Sequence, residues 1–191
     1  MLRLALFAAL LLSGSNGGEH PYTGPNCLGP YCVDRVVLLR SLFERLGQPA
    51  TKSEPFCYQS QDGRTFLMVV NRADSSRITG EVLLSDFPNC ANTPKQVTTD
   101  NLQAWRTKEG IGLGSTEEDV LKAYGKPNSN LKFGTKLHDY MLVIRGYRPW
   151  HEKPPQIGDT RFIYNTSEDL RAANFGFRGR RVCWIVLAYN E

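Results

Sequence analysis

Few residues of this chain have the type and spacing that covalent catalysis requires. His138 and Asp139 are neighbours, so in a strand their side chains would point to opposite faces, which suits an acid–base pair poorly. Cys183 lies inside the apolar run 182–187, whereas a nucleophilic thiolate needs exposed, electropositive surroundings. We therefore predict no catalytic residues. A small hydrolytic or thiol enzyme that uses His138, Asp139 or Cys183 remains the alternative.

Metal, cofactor and nucleic-acid chemistry find little support in the composition. The chain has three His and five Cys, in neither the His-x-x-x-His nor the Cys-x-x-Cys spacing of zinc sites. Lys and Arg number 23 against 19 Asp and Glu, and a net charge of +4 is too small to indicate nucleic-acid binding. Hydrophobic residues at 41% and charged residues at 22% are typical of a globular protein. We predict no metal, no cofactor and no nucleic-acid partner.

The segment 146–155 has the composition of a binding loop. It places Tyr147, Arg148, Trp150 and His151 among three prolines, between two strand patterns. Tyr, Trp and Arg are enriched at binding hot spots, and prolines reduce the entropy that a loop loses on docking. We predict these four residues as binding residues. The alternative is an ordinary loop whose Trp150 folds back over the sheet.

A second candidate binding feature is basic. Arg178, Arg180 and Arg181 surround Gly179 between two strand patterns, which predicts a hairpin with a positively charged tip. Such a tip either binds an acidic partner or is simply solvated.

The first fifteen residues predict a signal peptide. Arg3 precedes an apolar run at 4–12, and small residues follow at 13–15. A run of this length cannot cross a hydrocarbon core of about 30 Å as a helix, and no later segment is a candidate membrane span. The residues at 12–15 are similar to a lipoprotein box with Ser in place of the lipidated Cys. We expect a soluble, unlipidated product, cleaved near Ser15 and located in the periplasm or outside the cell.

Export would place the cysteines in an oxidising compartment. Two bridges among five cysteines leave several connectivities open. Cys27 and Cys32 bracket a Gly-Pro turn, while Cys57 and Cys90 lie at the edges of strand-like sequence. We predict the bridges Cys27–Cys32 and Cys57–Cys90, with Cys183 as a buried free thiol.

Two helix patterns, each followed by strand patterns, indicate a repeated organisation. The helix at 34–46 ends in LGQP at 46–49, and the helix at 115–124 has a capping box and ends in YGKP at 124–127. We predict an α+β fold of two tandem units, each a short helix packed on an antiparallel β-meander. The predicted divisions are a signal peptide at 1–15, an N-terminal segment at 16–33 with the Cys27/Cys32 turn, a first unit at 34–90, a linker at 91–107 and a second unit at 108–191.

The second helix and its approach carry a family resemblance. The stretch GIGLGST at 110–116, with Asp-Val at 119–120 and YGKP at 124–127, resembles an exported bacterial module. That module occurs in outer-membrane assembly lipoproteins of the SmpA/OmlA type, and a similar unit occurs twice in β-lactamase inhibitory proteins. The resemblance implies a helical segment packed on an antiparallel sheet, and binding to other proteins rather than catalysis. It identifies no contact residues.

These observations together predict an exported, soluble, non-enzymatic protein-interaction module. Its role would be inhibitor-like or in envelope assembly, and its partner would be another exported or envelope protein. Besides the enzyme, a small-ligand carrier that uses the concave face of the sheets is a second alternative to this module.

The binding loop predicts the outcome of one substitution. If 147–155 is the contact surface, Trp150→Ala should weaken partner capture by about 2 kcal/mol or more, the scale of a hot spot. The melting temperature should stay nearly unchanged, because an exposed loop side chain contributes little to a core. A large loss of stability with unaltered capture would instead make Trp150 a core residue.

Overall fold

The computed structural model describes residues 22–33, 37–70, 77–78, 80–90, 93–132, 158–165 and 171–189. Within these ranges the elements in chain order are β1 (Cys27–Leu28), β2 (Tyr31–Cys32), β3 (Val37–Leu38), α1 (Leu39–Leu46), β4 (Phe56–Ser60), β5 (Phe66–Val70), β6 (Arg77–Ile78), β7 (Glu81–Ser85), β8 (Gln96–Thr98), a 3-10 turn (Leu102–Ala104), α2 (Glu117–Tyr124), β9 (Ser129–Lys132), β10 (Thr160–Asn165), β11 (Arg171–Arg178) and β12 (Arg181–Tyr189). None of the helices in these ranges has the length and apolar character needed to cross a membrane.

The predicted α+β fold of two tandem helix-on-meander units is wrong. The described residues are mainly β, and strands from both halves form one eight-stranded sheet in the order β8-β4-β5-β7-β12-β11-β10-β9. The sheet is mixed, because β8 pairs with β4 in parallel while the other neighbours pair antiparallel.

Burial of the inner strands explains why the two meanders do not form separate sheets. Every residue of β7 is buried, and so are residues 182–187 of β12. Buried backbone N–H and C=O groups need hydrogen-bond partners, and each of these strands supplies them to the other. The pairing runs from Trp184 opposite Ser85 to Ala188 opposite Glu81.

The central strands are covered on both faces, so they lack the alternation of a half-exposed sheet. One face, which we call the helix face, packs against α1 and α2 and includes Leu67, Leu84 and Ile185. The opposite face, which we call the disulfide face, includes Met68 and Trp184. Continuous apolar runs in these strands follow from burial on both sides.

The first helix is shorter than the sequence pattern predicted, whereas the second has the predicted cap and end. α1 begins at Leu39 rather than near residue 34, because residues 37–38 pair with β6 in a two-stranded ladder. α2 begins after Thr116, whose side chain accepts a hydrogen bond from the Asp119 backbone while the Asp119 carboxylate accepts one from the Thr116 backbone. This capping box confirms the predicted start of the second helix.

Both predicted disulfides are present. Cys27 is bonded to Cys32 across the β1–β2 hairpin, and Cys57 is bonded to Cys90. Cys183 is the free cysteine and is buried, as predicted. The Cys57–Cys90 bridge closes a 33-residue separation and, in the chain-entropy model, contributes about 3–4 kcal/mol to stability.

The residues predicted to form a linker contribute to the sheet and the core. Residues 96–98 form β8, and Leu102 and Trp105 are buried on the helix face. Trp105 lies against Gly29 in the turn of the β1–β2 hairpin, where a Cβ atom would come within 2.6 Å of the indole ring. The Gly29 N–H donates to the Arg106 carbonyl over 2.8 Å. The N-terminal hairpin is therefore fixed to this segment.

Gly125 ends α2 in a backbone conformation that favours glycine, and substitution can test this requirement. Its φ of 72° is positive, as expected for a helix stop, but its ψ of −157° lies outside the left-handed helical region. That combination is essentially restricted to glycine. A Cβ atom there would meet nothing within 4 Å, so any cost of substitution comes from the backbone alone.

We expect Gly125→Val to lower the free energy of unfolding by about 1–3 kcal/mol, as measured by chemical denaturation. Gly125→Asn should not restore stability, because Asn tolerates the left-handed helical region but not this one. Lys126→Val, one residue further along the exposed chain, serves as the control and should change stability little. Equal stability of the Asn variant and the natural protein would contradict this account.

Candidate functional site

The predicted basic hairpin tip is present between β11 and β12. Gly179 and Arg180 both have positive φ, 56° and 62°, which matches a two-residue turn of type I′. Arg178 forms an ion pair with Asp86 over 3.1 Å. Burial raises the pKa of the Asp86 carboxyl above its ordinary value, and the neighbouring Arg178 guanidinium opposes this shift.

The hairpin tip packs against the N-terminus of α2. Arg181 donates to the Gly114 carbonyl over 2.9 Å, and Arg180 lies 3.4 Å from the Glu117 carboxylate. Glu117 also accepts a hydrogen bond from the Thr160 hydroxyl over 2.9 Å. All three tip arginines thus contact their own chain, and the contacts of Arg180 and Arg181 join the hairpin to the 110–127 motif.

Cys183 lies in surroundings that make its thiol unreactive. It is the extra residue of a β-bulge, since Trp184 pairs with Gly176 and Val182 pairs with Phe177. Its thiol donates to the Gly176 carbonyl at 3.4 Å. Burial, followed by the nearby Asp86 charge, raises the pKa of the thiol to about 12. The geometry therefore gives Cys183 no nucleophilic role.

The remaining predicted site residues cannot be placed. His138, Asp139, Tyr147, Arg148, Trp150 and His151 all lie outside the described residues. Within the described ranges, no group of three or more His, Cys, Asp or Glu side chains is arranged to hold a metal ion.

A groove lies beside α1. It has a volume of about 520 Å³ and lies between α1 and the loop that leads into β4. Its floor is apolar and formed by Leu39, Phe43 and Phe56. Leu39 and Phe43 are half-buried, and Phe43 meets Phe56 edge to face at a centroid distance of 5.2 Å.

The rim of the groove is polar and comes mainly from the loop 48–54. It includes Gln48, Thr51, Lys52, Ser53 and Glu54. The Thr51 hydroxyl donates to the Ser53 carbonyl over 2.9 Å, which helps fix the path of the loop. An apolar floor with a polar rim is the usual layout of a site that binds a ligand or a peptide segment.

Sequence reasoning missed this groove. The three- and four-residue spacing of Leu39, Phe43 and Leu46 in the helix pattern predicts one buried face. Of these three, only Leu46 is buried, and Leu39 and Phe43 are half-buried. The signal that could have separated them is the polar loop 48–54, but its path across the helix depends on tertiary contacts.

The described residues thus define a disulfide-bonded, mainly β protein with an open aromatic groove. Comparison with protein-family models gives no match, and comparison with curated proteins gives none either. Among solved structures, the chain is similar to a DUF4309 family protein, YjgB, from Bacillus subtilis, with 13% identity over 80% of this chain and 78% of that chain and a TM-score of 0.40.

The surroundings of Cys183 predict its reactivity. With a thiol pKa of about 12 and almost complete burial, we expect no alkylation by iodoacetamide in the folded protein near pH 8. Unfolding in guanidinium without reductant should expose one reactive thiol per chain, because the other four cysteines are in disulfides. Intact-mass spectrometry reads both states, and Cys183→Ser is the matched control. Complete labelling of the folded protein would contradict this picture.

Proposed function

We propose that this protein is exported to the periplasm or out of the cell and acts there as a non-enzymatic module that binds another exported or envelope protein. The two disulfides fit an oxidising compartment. The leader pattern at 1–15, with cleavage near Ser15 and no cysteine to lipidate, supports the export route. The resemblance of 110–127 to modules of assembly lipoproteins and inhibitory proteins favours either an envelope-assembly or an inhibitor-like role.

The open groove beside α1 is the observation that carries the binding proposal. Phe43 and Leu39 are only half-buried there, although both pack against the core. Aromatic side chains that keep part of their apolar surface in water gain free energy when a partner covers them. The predicted loop residues Tyr147, Arg148, Trp150 and His151 stay as a second candidate contact surface.

The shape of the groove favours a protein segment over a small ligand. Small-molecule pockets bury most of the ligand surface, roughly 70–90%, and so tend to enclose it. This groove opens to solvent, and its rim includes the exposed side chains Gln48, Lys52, Ser53 and Glu54. We therefore rank the small-ligand carrier below the protein-interaction module.

The surroundings of Cys183 weigh against the thiol-enzyme alternative. Its side chain is 2% exposed, so a substrate has no access to the sulfur without opening the sheet. A raised thiol pKa also keeps the nucleophilic thiolate scarce at neutral pH. We therefore rank the thiol enzyme below the protein-interaction module.

Site-specific photo-crosslinking tests the proposal. We expect p-benzoylphenylalanine in place of Gln48, on the groove rim, to form one discrete adduct with a protein of the native host's exported or envelope fraction. The same photoreactive residue in place of Lys126, which is exposed and does not line the groove, is the control and should not give that adduct. Mass spectrometry identifies the adduct.

A second substitution distinguishes a partner bound in the groove from a protein that is crosslinked only because it is nearby. Adding Phe43→Ser to the Gln48 photo-crosslinking variant removes one of the two aromatic rings of the floor and should abolish the adduct, while circular dichroism checks that the chain stays folded. The same adduct from both labelled positions, or an adduct that survives Phe43→Ser, would refute binding at the groove.

A further inference from the structure

We propose that the α1 groove recognises an acidic apolar segment of a partner protein, in which a large apolar side chain enters the groove and a neighbouring Asp or Glu carboxylate meets Lys52. This inference rests on the proposed binding function and specifies the chemistry of the partner. It assigns two tasks to different parts of the groove. The floor provides affinity, and the rim provides a preference for charge.

Among the described charged side chains around the groove, Lys52 is the cation without a partner. On α1, Arg40 is paired with Glu44 over 2.8 Å, and Arg45 is paired with Asp100. On the rim, Glu54 is already engaged by another interaction of the chain. Within the described part of the chain, Lys52 has neither an ion pair nor a hydrogen bond, and its side chain is exposed.

An exposed, unpaired ammonium beside an apolar floor selects an anion that also carries apolar surface. A hydrophilic anion such as free phosphate would leave Phe43 and Leu39 uncovered, and burying those side chains is the main source of affinity available here. A neutral apolar segment would cover them but leave Lys52 without a counter-charge. An apolar residue followed by Asp or Glu satisfies both surfaces.

The rest of the rim suits a peptide backbone. Gln48, Thr51 and Ser53 offer amide and hydroxyl groups at the mouth of the groove, and such groups pair with the N–H and C=O groups of an extended chain. A volume of about 520 Å³ falls within the range of roughly 300–1,000 Å³ that is typical of ligand sites. An aromatic or branched side chain with its flanking backbone is a reasonable match to that space.

The expected size of the charge effect is modest. Exposed ion pairs contribute about 0.2–1 kcal/mol, which corresponds to a change in affinity of up to about fivefold. Added salt should weaken this preference, because exposed charges are screened. Contacts with the aromatic floor should account for most of the affinity.

Peptide titration followed by NMR tests the inference on the full oxidised chain. Two eight-residue amidated peptides are compared, which share a central Leu-Phe pair and differ only in whether Glu or Gln follows it. We expect the Glu peptide to bind about two- to fivefold more tightly, with shifts at residues 39, 43, 52 and 56. Lys52→Gln should remove that preference, whereas Lys126→Gln should keep it. Phe43→Leu, which retains an apolar side chain, should weaken both peptides.

The outcomes separate this inference from the proposed function. Equal binding of the two peptides, or a preference that survives Lys52→Gln, would overturn the role of Lys52 while leaving a groove that binds apolar segments. Failure of both peptides to bind would overturn the inference, and crosslinking from position 48 would then judge the binding function by itself. A third peptide, which ends in Leu-Phe with a free carboxylate, reveals whether a chain terminus replaces the acidic side chain. Tighter binding of that terminus than of the Glu peptide would count against an internal acidic residue.

Discussion

The backbone pairing of β7 with β12 is the interaction on which the rest of this structure depends. Each of these strands belongs to a different half of the chain, and each is buried along nearly its whole length. Without the partner, the inner edge of each meander would bury unpaired N–H and C=O groups, at a cost of roughly 1–3 kcal/mol for each group. The pairing removes both inner edges and gives the chain one eight-stranded sheet with a common core.

A continuous sheet creates two faces, and each needs a cover. The helices and the N-terminal hairpin cover the helix face, where Tyr124 stacks on Phe175 at a centroid distance of 5.6 Å. On the disulfide face, the Cys57–Cys90 bridge lies in the apolar cluster that also contains Phe87 and Trp184. The Trp184 indole passes so close to Gly176 that a Cβ atom there would come within 2.0 Å of the ring. The β-bulge at Cys183 adjusts the strand at this crowded point.

The two regions with candidate chemistry differ in what is left for a partner. At the hairpin tip, the arginines contact their own chain. Arg181 and Arg180 contact Gly114 and Glu117 at the start of α2, and Arg178 pairs with Asp86 at the end of β7. At the α1 groove, Leu39 and Phe43 are only half-buried, and Lys52 has no counter-charge among the described residues. The tip arginines have partners within the molecule, whereas the apolar side chains and Lys52 of the groove do not have all of theirs among the described residues. For this reason we propose binding at the groove.

Local signals were sufficient for several features of this protein. The Thr116–Asp119 capping box, the stop at Gly125 and the turn at 179–180 depend on residues within a few positions of one another, so sequence alone predicted them. The Cys27–Cys32 bridge spans a short turn, which is also a local signal. Cys57–Cys90 spans 33 residues; its pairing was predicted correctly, but sequence alone left other connectivities open. Sequence did not reveal that β7 would pair with β12, because that choice is made between edges about 100 residues apart and by burial on both faces. The groove likewise depends on how the loop 48–54 crosses α1, which only tertiary packing decides.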